Sequence, residues 1–153
     1  MLVVTGAAAE EVETLVAAMA EPRVTTTRCG TWKRGMGESL RAGLMALATR
    51  GRTIPAQALV HLVDLPDVGP QVVARMLAAR PAGAGGVGGE ALARAAYQGV
   101  PGHPVLLGQD HWQAVLDVAR GDAGARDYLR WARPELIECG DLATGADVDV
   151  PPG

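Results

Sequence analysis

The feature that most constrains the fold is Ala58-Leu59-Val60-His61-Leu62-Val63, a nearly unbroken apolar run that passes directly into Asp64-Leu65-Pro66-Asp67. A short continuous apolar run bounded by turn residues suits a strand covered on both faces, as in the middle of a parallel sheet. His61 is its one polar residue and reads as a satisfied core histidine. The flanking sequence supplies what a parallel sheet needs, strands alternating with helices. Leu2-Val3-Val4-Thr5-Gly6 is a β-branched strand, and Val12, Leu15, Val16 and Met19 then recur at helical spacing. Val24 to Thr27 reads as a strand, Leu40, Leu44 and Leu47 as one face of a helix from Ser39, and Val72, Val73, Met76 and Leu77 as a helix after Pro70. Leu92 to Tyr97 and Val105 to Leu107 are further strand candidates. The clearest amphipathic signal is Trp112, Val115, Leu116 and Ala119 at i, i+3, i+4 and i+7. Asp122 is placed to cap a last helix holding Ala125, Tyr128 and Leu129.

With 153 residues the chain suits one domain, 1–153, and any site must lie on that one scaffold. The composition is 48% hydrophobic with no Phe, so the core must be built from Val, Leu, Ala and Met. A net charge of −3 with scattered Lys and Arg gives no electrostatic footprint for nucleic acid or an anionic membrane. No stretch of about 18 apolar residues occurs, and the expected location is cytoplasmic. Cys29 and Cys139 have neither CxxC nor metal-ligand spacing and read as two buried thiols.

In sheets of this class ligands bind outside the carboxyl ends of the strands. That rule points to the Gly-rich polar stretch Cys29–Glu38 and to the turn beginning at Asp64. Gly83-Ala84-Gly85-Gly86-Val87-Gly88 satisfies GxGxxG, but it follows a helix and Pro81 where a dinucleotide fingerprint needs a preceding strand, so it reads as a connector. Gly37-Glu38-Ser39-Leu40-Arg41 begins like a nucleophile elbow, yet Arg41 stands where the closing glycine belongs. Ser39 reads instead as a helix N-cap, and the amides of Gly35 to Ser39 could hold an anion or a base edge. His61, His103 and His111 share no zinc-ligand spacing. Pro101-Gly102-His103-Pro104 fixes a loop tightly before a strand, a device for presenting one side chain, and His103 either touches ligand there or serves the loop alone. Asp64 has two open readings: it caps the next turn, or it binds a hard cation. Mg²⁺ uses one or two carboxylates plus substrate phosphates, and Asp147 or Asp149 could supply the second.

Five ordered stretches resemble a known family: Val3-Val4-Thr5-Gly6-Ala7-Ala8; Trp32 to Leu44; Val63-Asp64-Leu65-Pro66; Tyr97 to Leu107; and Gly121 to Arg126 with Asp147-Val148-Asp149-Val150-Pro151. Together they resemble the molybdenum cofactor cytidylyltransferase branch of the MobA-like NTP-transferase superfamily. The resemblance implies an α/β, Rossmann-like three-layer α/β/α fold with a mainly parallel sheet. It implies that Asp64 is catalytic and, with Asp149, binds Mg²⁺. It assigns Gly35, Met36, Gly37 and Ser39 to the nucleotide, and Gly102, His103, Pro104 and Arg126 to the acceptor side. The implied reaction is attack by an acceptor phosphate, on molybdopterin, at the α-phosphate of CTP or GTP. A molybdoenzyme or maturation factor is the implied protein partner.

Members of that family open with a strand and a loop of the form LAAGxGxRxGxPK that holds the triphosphate. Here Leu2 to Thr5 corresponds to the family's second strand, so the first βα unit, roughly 40 to 50 residues, is expected to be missing. The expectation for the chain alone is therefore weak transfer or none. Two rival functions accompany the leading one: a flavin- or nicotinamide-linked oxidoreductase like the nicotine blue oxidoreductase branch of the same superfamily, and a nucleotide-binding remnant without catalysis.

Overall fold

A computed structural model describes residues 1–49, 53–79 and 88–148. In chain order the elements are β1 (Leu2–Thr5), α1 (Ala9–Ala18), β2 (Thr25–Arg28), α2 (Met36–Thr49), β3 (Gln57–Val60), α3 (Pro70–Ala78), β4 (Leu92–Tyr97), β5 (Val100–Gly108), α4 (Trp112–Val118), α5 (Arg126–Ala132) and β6 (Glu135–Glu138). The α/β class is borne out. The elements divide into two compact units, Met1–Pro55 with Trp112–Ala132, and Ala56–His111 with Arg133–Gly153.

In the first unit β1 and β2 pair in parallel, from Leu2 opposite Thr25 to Thr5 opposite Arg28. Helix α1 is tied to the strands by a polar clasp. Thr5 Oγ1 donates to Glu13 Oε1 at 2.8 Å, and Arg28 Nη2 donates to Glu13 Oε2 at 2.6 Å. The Arg28 guanidinium, then the Thr5 hydroxyl, hold the Glu13 carboxyl below its usual pKa. This clasp turns Ala9 and Glu13 inward, and it leaves Leu15 and Met19, expected on the packed face, exposed. Helix α2 lies close enough to β1 that a Cβ on Gly43 would stand 3.1 Å from Val4 Cγ2. Its Leu44 is buried, and Arg41 donates to the Leu116 carbonyl of α4. Trp112, Val115 and Ala119 are buried, as their spacing predicts. Asp122 does not cap α5; it lies in a 3₁₀ turn, Gly121–Ala123, and α5 begins at Arg126.

The second unit holds a four-stranded sheet ordered β3-β5-β4-β6, antiparallel at β3–β5 and β4–β5 and parallel at β4–β6. Ala91, Ala93 and Ala95 alternate toward Val72 and Met76 of α3, with Leu65, Val68, Tyr97, Leu106 and Cys139 in the same cluster. Small residues on the strand let the helix approach closely, and Met76, at 0% exposure, fills the space. Burying a side chain of that size contributes about 2 kcal/mol. Cys29 and Cys139 are both buried and free, as expected.

The apolar run that suggested a central strand is shorter in the structure. β3 ends at Val60, and among the described residues its one strand partner is β5. Val60 pairs with Val105, so the next rung would set His61 against Pro104. Beyond Val105 the β5 strand enters the irregular stretch Gly102–Pro104, where its pairing with β4 also shifts register. The chain leaves the sheet here; His61 is exposed and Val63 is fully exposed, which corrects the reading of His61 as a core histidine. Among the described residues no helix is long and apolar enough to cross a membrane.

Candidate functional site

The residues singled out by sequence fall into two clusters, one in each unit. In the first, the chain leaving β2 forms a 3₁₀ turn, Trp32–Arg34, whose Trp32 Cβ packs beside Gly6 at the carboxyl end of β1: a Cβ on Gly6 would stand 3.1 Å from it. Gly35 follows with φ +114° and ψ 171°, a conformation essentially confined to glycine. α2 then starts at Met36, so Ser39 is the fourth helical residue and not the N-cap expected from sequence. The helix start is fixed instead by the break at Gly35, whose carbonyl accepts the Glu38 amide at 3.1 Å. Thr31 Oγ1 reaches forward to Glu38 Oε2 at 2.9 Å.

Gly35 and Gly37 lie against a segment far along the chain. A Cβ on Gly35 would overlap the Gly121 carbonyl carbon and stand 2.7 Å from the Asp122 nitrogen; one on Gly37 would stand 2.8 Å from the Arg120 nitrogen. Met36 is exposed, and its Cε lies 4.0 Å from a Cβ placed on Gly124. Arg126 is exposed at the start of α5. The structure thus brings Gly35, Met36 and Gly37 together with Gly121–Gly124, two stretches far apart in the sequence.

In the second unit Asp64 is exposed, in a turn beyond the end of β3 and not at the strand terminus itself. Its carbonyl oxygen accepts the Val148 amide at 2.9 Å. Asp67 accepts from both the Thr144 amide and the Thr144 hydroxyl at 2.6 Å. These bonds, first that from the hydroxyl, hold the Asp67 carboxyl below its usual pKa. The turn is therefore clipped at both ends to residues 144–148, which sets exposed Asp147 one residue from the Asp64 contact. Asp149 lies outside the described residues, as do Gly83 to Val87 of the GxGxxG stretch.

Gly102, His103 and Pro104 form an irregularity in the β4–β5 ladder: Arg94 pairs with Val105 but Ala96 pairs with Pro101. Such bulges re-aim side chains. Arg94 Nε donates to the Gly102 carbonyl at 2.7 Å, and Tyr97 Oη donates to the His103 carbonyl at 2.6 Å. The His103–Pro104 peptide is cis and Pro104 is buried. A Cβ on Gly102 would stand 2.7 Å from the Tyr97 ring, so no other residue fits there without displacing the ring. His103 is half-buried; burial first, then the charges of Arg94 and His61, lower its pKa to about 4, against the opposing pull of Asp64. His103, His61, Arg94 and Asp64 therefore share one electrostatic neighbourhood.

Sequence reasoning missed Asp67, Thr144, Tyr97 and Arg94. Asp67 stood in the quoted Asp64–Asp67 turn, but its partner is 77 residues away. Among the described residues no three His, Cys, Asp or Glu side chains converge as a metal centre. A Mg²⁺ ion held by one or two carboxylates and substrate phosphates needs no such trio, so exposed Asp64 fits that donor set.

Nicotine blue oxidoreductase of Paenarthrobacter nicotinovorans is 35% identical to this chain over 129 residues, 78% of this chain and 57% of the relative. The chain thus spans little more than half the length of that curated protein. Among solved structures, Rv0371c of Mycobacterium tuberculosis H37Rv in complex with manganese superposes with a TM-score of 0.62 at 22% identity, covering 96% of this chain and 72% of that one. The Rv0371c homolog from Mycobacterium sp. strain JC1 gives a TM-score of 0.59 at 22% identity, covering 97% and 68%. These two likenesses show the fold. The MobA-like NTP transferase domain model matches residues 1–136, across both units, and the chain belongs to that family.

Proposed function

We propose that this chain is the nucleotidyltransferase part of a protein that transfers CMP or GMP from CTP or GTP to a phosphorylated acceptor, molybdopterin, in molybdenum cofactor biosynthesis. The observation that carries it is the family match over residues 1–136, which includes Gly35–Ser39, Asp64 and Gly102–Pro104 and supports reading 1–153 as one domain. Gly35, Met36, Gly37 and Ser39 bind the nucleotide. Gly102, His103, Pro104 and Arg126 face the acceptor. An acceptor phosphate oxygen bonds to the α-phosphorus as the α–β bridging bond breaks, and pyrophosphate leaves with the bonding electrons. Asp64, with Asp149, holds Mg²⁺, which supplies charge neutralisation when bound. Asp64 suits this role because its backbone is clipped to Val148 while its side chain stays exposed. The protein works in the cytoplasm, with a molybdoenzyme or maturation factor as recipient of the product.

Calorimetric titration with CTP and GTP, with and without Mg²⁺, followed by pyrophosphate release in the presence of molybdopterin, tests this. Metal-dependent binding with turnover is expected; binding without turnover points to a nucleotide-binding remnant, and no binding of either nucleotide rejects the proposal. A second reading, a flavin- or nicotinamide-linked oxidoreductase, is favoured by the 35% identical relative. A flavin or nicotinamide absorbance band in the purified protein would establish it.

A further inference from the structure

We propose that the Arg120–Asp122 turn is the positioning element of the nucleotide-contacting loop Gly35–Ser39, so that nucleotide affinity depends on a backbone-to-backbone contact between segments more than 80 residues apart in sequence. This rests on the nucleotidyltransferase reading and names a determinant that the reading leaves out. Two glycines, one residue apart, face the turn. A Cβ on Gly35 would collide with Gly121 and would stand 2.6 Å from its carbonyl oxygen; a Cβ on Gly37 would stand 2.8 Å from the Arg120 nitrogen and 3.0 Å from the Ala119 carbonyl carbon. The atoms in the way are backbone, which cannot swing aside as the end of a side chain can.

Gly37 is informative because it lies within α2 and is buried. Alanine is the better helix former, and the reason for a glycine at this buried position lies in what packs against it. The approach of Arg120 supplies it. The first-turn amides of a helix have no acceptor within it; that of Glu38 is taken by the Gly35 carbonyl, and those of Met36 and Gly37 stand beside it at the helix start. Where they point in this chain is set by how the loop seats on the turn. The two segments are tied a second time, since Arg41 of α2 donates to the Leu116 carbonyl of α4, which leads into the turn. Arg120–Asp122 thus acts on the nucleotide through the loop, as a positioning element and not a contact.

The test compares Gly37→Ala with Met45→Ala, an exposed residue farther along α2. Amide hydrogen exchange of residues 34–39 and 119–123 is measured beside calorimetric titration with CTP or GTP and Mg²⁺. Gly37→Ala should unfold cooperatively like the parent, exchange faster at both segments and bind nucleotide about tenfold more weakly, while Met45→Ala should match the parent. Unchanged exchange, or faster exchange with unchanged affinity, overturns the proposal while the nucleotidyltransferase reading stands. A parent chain that binds neither nucleotide overturns both. If Gly37→Ala does not fold, Gly121→Ala decides. Its Cβ enters open space, 4.0 Å from the Arg34 carbonyl oxygen, but its φ of +55° strains the turn from the other side, and the same loss of affinity is expected.

Discussion

The Val148 amide donates to the Asp64 carbonyl oxygen at 2.9 Å, which holds the main chain of Asp64 and leaves its carboxylate exposed. A residue fixed in this way can lose its charge without losing its place. Asp64→Asn should therefore unfold like the parent, while nucleotide affinity in Mg²⁺ falls by about tenfold or more and affinity in EDTA stays the same. Paired calorimetric titrations check this; an equal loss in EDTA would show that Asp64 serves the turn and not a cation.

Asp67 and Thr144 give a pH-dependent clip. Two donated hydrogen bonds lower the Asp67 pKa in the folded chain, so the charged form is the one that folding favours. The stabilisation is present above the ordinary aspartate value of 3.8 and is lost as pH falls through the lower folded value. Protection of the amides of residues 144–148, taken relative to their intrinsic exchange rates, should fall below that range, and Asp67→Asn should show the lower protection already at neutral pH. Protection that is the same in both chains and at every pH would remove the clip.

The elements were legible where one local pattern decides them. Trp112, Val115 and Ala119 lie on one helix face and are buried together, and the α/β class followed from strands alternating with helices. The end of β3 was not legible from Ala58–Val63, because the last rung of the ladder pairs Val60 with Val105, more than 40 residues on. His61 was placed in the core for the same reason. At the site, Gly35 and Gly37 were visible as a Gly-rich loop, but not their packing on Arg120–Asp122. Nor could the chain alone pair Asp67 with Thr144: an aspartate in a turn can accept from its own neighbours, and here a distant hydroxyl supplies the bond.

Tyr97 joins the sheet core to the bulge at Gly102–Pro104. Its ring is buried and its hydroxyl donates to the His103 carbonyl at 2.6 Å. Tyr97→Phe keeps the ring and leaves that carbonyl without its donor, which should lower stability by about 1–2 kcal/mol in urea unfolding. Tyrosinate should be absent well above neutral pH, since burial, foremost among the causes, raises the hydroxyl pKa to about 12. An ultraviolet titration with a midpoint near the ordinary value of 10.0 would contradict the packing described.

His103 should be neutral at and around pH 7. Burial, then the positive charge of Arg94, puts its folded pKa at about 4 against 6.5 for a free imidazole. Between these values the unfolded chain binds a proton that the folded chain does not, so stability rises with pH across this window. The contribution is complete above 6.5 and is lost progressively as pH falls toward about 4. His103→Gln should flatten that slope, and a ring-proton NMR titration of the parent should show the His103 midpoint near 4. A midpoint near 6.5 would mean that the ring is solvated and that the bulge presents it to water instead of holding it beside Arg94 and Asp64.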